Sequence, residues 1–174
     1  MKVLVLIFSL KKVPTLSWSS FDALNLKPRI ITLLYLIFGL ILCGLGETIL
    51  IAARAGVSPW TVLAQGLSVK TGYSIGLTTF MVSIGVLILW IPLKQKPGIG
   101  TILNTIIISI VLDVSLPYLP TPESFFLQAL QVFIGVIIVG LGSGFYLISN
   151  LGPGSRDGLM TGLQKKTNLP IALI

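Results

Sequence analysis

Four long apolar stretches divide the chain, and the polar pieces between them set its plan. The stretches run from Ile30 to Ala53, Ile75 to Leu93, Ile99 to Leu116 and Phe125 to Ser149. Each approaches the ~20 mainly apolar residues that a helix needs to cross ~30 Å of hydrocarbon. Only KQKPG separates the second from the third, which predicts a helical hairpin. The loop PYLPTPES introduces the fourth, because its prolines cannot continue the helix before it.

Two segments fit neither lipid nor an ordinary loop: AGVSPWTVLAQGLSVKTG after the first stretch and SNLGPGSRDGLMTGLQKKTN after the fourth. Each predicts a short helix. In the first, Gly56 supplies the chain reversal, Ser58 the N-cap, and Pro59 the first turn, where its missing N–H costs nothing; the helix should end near Val69. In the second, Ser155 can cap, Asp157 lies in the first turn, and Lys165 and Lys166 lie in the last, all matching the helix dipole.

These segments are related. Laying Gly39–Leu77 over Gly135–Leu173, 96 positions on, makes 13 of 39 residues identical, among them five glycines and the pair Lys70–Thr71 against Lys166–Thr167. Chance would give roughly one match in ten. The repeat unit is therefore a span, a short polar helix and a hairpin of two spans. If the short helix does not cross, the unit has three crossings, and an odd number makes the second copy enter from the opposite face, as in many transporters and channels. The same offset puts the second hairpin near residues 171–189 and 195–212, whereas the sequence ends at Ile174, so the second unit is expected to be incomplete, with a further chain completing the bundle as a homo-oligomer. The expected fold is all-α, a polytopic membrane bundle with an interfacial, cytoplasmic extension over 1–28, carrying Trp18 and Phe21, a first unit over 29–123 and a second over 124–174.

Composition agrees with lipid as solvent: 54% of residues are hydrophobic, 10% charged, and mean hydropathy is +1.00, whereas a soluble domain is about a quarter charged. The net charge of +7 therefore signals orientation rather than nucleic acid. With the N-terminus inside, ten Lys and Arg are cytoplasmic and only Arg54 and Lys70 lie outside, as the positive-inside rule requires of a bacterial inner-membrane protein. There is no histidine, and Cys43 is the only cysteine. Histidine-based catalysis, thiolate metal cages and internal disulfides are excluded, and no cofactor or metal is implied.

The candidate chemistry is sparse. Glu47 lies inside the first stretch, with Arg54 seven residues on, on the same helix face. A buried ionisable group faces a cavity or a partner; for Arg54 the bland alternative is a side chain that snorkels to the headgroups. Asn104 is a polar group within the hairpin, best suited to bonding a neighbouring helix, and Asp113 belongs at the interface. Glycines 39, 44, 46, 140, 142 and 144 should let the first spans of the two units pack closely. The short helices fit two placements. As re-entrant helices they would aim free N–H groups at an anion or polar solute, with Arg54, Ser58, Trp60, Ser155, Arg156 and Asp157 as ligands. As interfacial helices they would lie among the headgroups, anchored by Trp60.

RAGVSPWTVLAQGLS (Arg54–Ser68), WIPLKQKPGIGTILN (Trp90–Asn104) and GLGSGFYLISNLGPGSRDGLMTGL (Gly140–Leu163) carry a resemblance to the YczE/YyaS/YitT group of bacterial membrane proteins, closest to its YczE-like branch. The resemblance covers nearly everything from Ile30 onward. It implies a polytopic inner-membrane protein with no assigned reaction and with a second hairpin that this chain lacks; Glu47 is not part of the pattern. The reading is a small transporter or channel-like protein for a polar or anionic solute. The rival is an accessory protein that binds a partner enzyme or anionic lipid through its basic cytoplasmic face. A membrane enzyme is disfavoured, because no nucleophile and base can be paired.

Overall fold

The computed structural model describes residues 13–167. All regular structure among them is helical: α1 (Ile30–Ala53), α2 (Pro59–Thr71), α3 (Ile75–Trp90), α4 (Ile99–Ser115), a 3-10 turn (Leu116–Tyr118), α5 (Phe125–Ser149) and α6 (Ser155–Thr167). Three helices are long and apolar enough to cross a membrane: α1, α4 with its 3-10 extension, and α5, with hydropathies of 2.2, 2.0 and 2.2. The second expected span is shorter than its apolar run. α3 stops at Trp90 after 16 residues, about 24 Å at ~1.5 Å per residue, because Pro92 cannot donate to a continuing ladder. Together with α2, which meets it at 116°, it makes a bent pair that can count as a fourth span.

α1 is the central element. Over its most apolar window 56% of the helix is buried, against 11% for α5, whose remaining surface is Phe, Leu, Ile and Val. The most extensive interface joins α1 to α5, followed by α1 with α4 and α3 with α4. α1 and α5 run antiparallel, since Gly39 lies against Gly142 and Gly46 against Gly135. A Cβ on Gly142 would stand 2.6 Å from the Gly39 carbonyl oxygen, so these backbones could not approach as they do with any side chain in between. Not all the expected glycines take part. Gly44 faces Val111 on α4, and Gly140 and Gly144 meet nothing within 4 Å. A two-residue step turns about 200° around a helix, so only the i, i+7 pairs share the contact face.

The offset of the sequence repeat recurs in the backbone. α1 ends at Ala53 and α5 at Ser149; α2 covers Pro59–Thr71 and α6 covers Ser155–Thr167, each limit 96 positions after its counterpart. Both long helices end on a left-handed residue, Arg54 (φ 53°) and Asn150 (φ 51°), followed two residues later by Gly56 (φ 123°) and Gly152 (φ 114°).

The segment before α1 packs onto the bundle. The Trp18 ring lies 4.5 Å from Tyr35, which stacks on Phe145 of α5, and Thr32 donates to the Trp18 carbonyl. Ser20 N–H donates to the Ser149 carbonyl at 3.1 Å, and the Asn150 amide donates to the Ser20 carbonyl at 2.9 Å. Phe21 stays almost wholly exposed. Residues 1–12 of the expected extension, and the part of the second unit beyond Thr167, lie outside the described residues.

Candidate functional site

Polar residues at four-residue spacing mark one face of α4 and one of α3. Thr101, Thr105 and Ser109 are all buried on α4, and so are Thr79 and Ser83 on α3. An apolar helix tolerates such hydroxyls because they can bond back to the preceding turn: Thr105 donates to the Thr101 carbonyl at 3.2 Å, Ser109 to that of Thr105 at 2.8 Å, and Thr79 to that of Ile75 at 2.8 Å. The two faces line a cavity of about 150 Å³, which Cys43 and Glu47 of α1, Asn104 of α4, Ser143 and Tyr146 of α5, and Trp60 of α2 also border. Its remaining wall is the start of α6: Gly154, Ser155, Arg156 and Asp157.

That start is fixed from several sides. The buried Trp90 indole, 1% exposed, donates to the Ser155 carbonyl at 3.0 Å. Thr101 Oγ1 donates to the Pro153 carbonyl at 2.7 Å, Tyr146 donates to the Gly152 carbonyl at 2.7 Å, and Gly100 N–H donates to the Leu151 carbonyl at 2.7 Å. The carbonyls of Leu151, Gly152 and Pro153 are thus spent on α4 and α5, that of Gly154 on α6 itself and that of Ser155 on α3, which holds the start of α6 against the cavity.

The two short helices begin differently. In α2, Ser58 caps as expected, accepting from Thr61 N–H at 3.3 Å, and Pro59 has no N–H to satisfy. In α6, Ser155 does not cap. Gly158 N–H bonds to the Gly154 carbonyl at 2.9 Å, so glycine holds the cap position and offers no side chain, while Ser155 falls inside the first turn. No acceptor within hydrogen-bonding distance serves the N–H groups of Ser155, Arg156 and Asp157 among the described residues. Such a terminus carries about half a positive charge.

Six of the eight sequence candidates line this cavity: Glu47, Trp60, Asn104, Ser155, Arg156 and Asp157. Arg54 and Ser58 do not. α1 ends at Ala53 and Arg54 turns left-handed, so the face shared with Glu47 is lost and the side chain is exposed; Ser58 is occupied as a cap. Asn104 bonds no neighbouring helix, contrary to expectation, and neither its amide nor the Glu47 carboxylate has a protein hydrogen-bond partner among the described residues. Arg156 stands 3.7 Å from Asp157 at the rim, each side chain about half exposed. Asp113 caps α3, accepting from Ser74 Oγ at 2.6 Å and Gly76 N–H at 2.7 Å.

Sequence reading missed Trp90, Tyr146 and the Thr/Ser faces. The four-residue hydroxyl spacing was a usable signal. Trp90 stands near the end of an apolar run, and nothing local marks it as the residue that holds α6.

The apolar helices, with a partly polar cavity of about 150 Å³ between them, define a polytopic membrane protein. The model of a family described as "Family of unknown function (DUF6198)" matches residues 30–174, and the chain belongs to that family. It is 34% identical over 162 residues to an uncharacterized protein of Haemophilus influenzae, covering 93% of this chain and 73% of that one. It is similar to two Bacillus subtilis proteins: the uncharacterized membrane protein YczE, 31% identical over 74% of this chain and 61% of that one, and the uncharacterized protein YyaS, 28% identical over 66% and 59%. The chain thus spans about three fifths of the length of these two. The YczE-like resemblance read from the motifs is borne out. No solved structure matches.

Proposed function

We propose that the protein passes a small polar or anionic solute across the bacterial cytoplasmic membrane through the cavity, without catalysis and with the N-terminus on the cytoplasmic side. One observation carries this reading: the start of α6 and the polar side chains Glu47 and Asn104, neither hydrogen-bonded to the protein among the described residues, line one partly open cavity. Polar groups that line a cavity without bonding to the protein suit a ligand.

An inverted repeat accounts for the same geometry. The antiparallel packing of α1 on α5 supports it, as does the lining of the cavity by repeat-related pairs: Cys43 and Val139, Glu47 and Ser143, Trp60 and Arg156. α6 is then re-entrant, as in transporters whose broken helices aim their N-termini at the substrate.

The test is solute flux into proteoliposomes. Arg156→Ala is expected to reduce it at least tenfold, since a charge-assisted contact is worth ~1.5–3 kcal/mol; undiminished flux refutes the assignment. A second reading has its own observation. Lys94, Lys165 and Lys166 line a shallow hollow with Pro92, Leu93 and Gln95, a basic surface suited to anionic lipid or a partner enzyme. Flux unaffected by Arg156→Ala, with loss of bound anionic lipid on neutralising those lysines, favours this alternative.

A further inference from the structure

The geometry points to an uncharged polyol as the solute, a small molecule whose hydroxyl hydrogens meet a wall rich in acceptors. This rests on the passage reading above and narrows it from polar or anionic to neutral and donor-rich.

The hydroxyl groups of the wall have already spent their hydrogens. Thr105 donates to the Thr101 carbonyl, Ser109 to that of Thr105, Thr79 to that of Ile75 and Tyr146 to that of Gly152, and all four donors line the cavity. A hydroxyl has one hydrogen and two lone pairs, so each of these oxygens can still accept but no longer donate. Ser83, 4% exposed, lines the same cavity and bonds nothing in the protein among the described residues. A simple anion brings only acceptors to such a wall. A polyol brings several O–H donors, each able to find an oxygen there, and can accept in turn from the amide of Asn104.

Charge does not call for an ion. Arg156 stands 3.7 Å from Asp157 and also acts electrostatically on Glu47, while Asp157 lies in the first turn of α6, against its positive end. Each carboxylate at the cavity thus has a counter-charge already. An ion leaving water needs one of its own, whereas a neutral solute needs none. The volume of about 150 Å³ equals that of an engineered cavity that accepts benzene, about six non-hydrogen atoms. Glycerol is of that size and carries a hydroxyl on every carbon.

Four solutes of this size test the inference on the purified chain in lipid nanodiscs: glycerol; lactate, an anion; protonated 2-aminopropane-1,3-diol, a cation; and 1,2-dimethoxyethane, uncharged but without a donor. Saturation-transfer NMR, which reads weak binding, gives the Kd of each by titration. Glycerol should bind saturably and at least tenfold more tightly than the other three, since each of them lacks donors or brings a charge with no partner. A smaller preference, or no saturable glycerol binding, overturns the proposal. Thr105→Val keeps the shape of the side chain and removes its oxygen, so it should weaken glycerol at least threefold and leave dimethoxyethane unchanged; unaltered glycerol binding overturns the proposal. If Thr105→Val unfolds, as early exposure of the buried Cys43 thiol would reveal, Ser83→Ala decides by the same two readings, because its hydroxyl bonds nothing in the protein among the described residues. Failures of the two readings are distinguishable. Glycerol bound but not carried into proteoliposomes sinks passage alone, whereas flux of lactate without glycerol binding sinks the polyol alone.

Discussion

Gly158→Ala provides the sharpest test of how α6 is held. A Cβ at Gly158 would lie 2.7 Å from Trp90 Cε2 and nearer still to Cζ2 and Cη2, whereas carbon atoms rest at ~3.5–4.0 Å. The indole cannot swing aside cheaply, because it is buried and its Nε1 donates to Ser155 on the same helix. Alanine itself favours a helix over glycine by ~1 kcal/mol. Against this stand ~1–3 kcal/mol for overpacking and ~0.6–2 kcal/mol for the displaced hydrogen bond, at the low end of what interhelical bonds contribute in membranes. The sum is a loss of about 1–4 kcal/mol, or roughly 2–16 °C in Tm for a chain of this size. Gly140→Ala, with nothing within 4 Å, keeps the propensity gain and should match or slightly exceed the parent. Cys43, the single and buried cysteine, makes the assay simple: a fluorogenic maleimide reports unfolding in detergent as the thiol becomes accessible. Trp90→Phe removes the ring atoms in the way, so Gly158→Ala should cost ~1–3 kcal/mol less in that background. Equal melting temperatures for Gly158→Ala and Gly140→Ala would refute the reasoning.

Gly142→Ala should destabilise by ~1–3 kcal/mol, because its Cβ meets backbone, the Gly39 oxygen at 2.6 Å and Cys43 N at 2.7 Å, which cannot rotate away; Gly144→Ala, which meets nothing, should not, and the same thiol melt compares them. Asp113→Asn weakens the charged cap on Ser74 and Gly76 and should lower stability by ~0.5–1.5 kcal/mol, read as a fall of a few degrees. Single cysteines at Lys70 and Lys165, in a Cys43→Ser background, should react with an impermeant maleimide from opposite sides of oriented membranes; labelling from one side would end the inverted-repeat proposal.

Much of the architecture was legible in the chain because it depends on local chemistry. Lipid demands long apolar runs with internally satisfied backbones, so α1 and α5 coincide with the stretches read from hydropathy. Ser58 and Pro59 set the start of α2 because a cap acts over three residues. The 96-residue offset was visible as identities and returned as matched helix limits.

The site divided differently. The sequence by itself determined that Glu47 and Asn104 are polar groups among apolar neighbours, hence expensive in lipid, and that Ser155 and Arg156 open a polar segment. Only the tertiary structure decided which of them meet. Arg54 left the face of Glu47 because α1 ends one residue before it, and Ser155 lost its capping role because Gly154 took that position. Trp90, 65 residues from Ser155 along the chain, joined the site through the packing of α3 on α6. A hydrogen bond across such a separation depends on how helices are arranged in space, and no spacing within one helix encodes it.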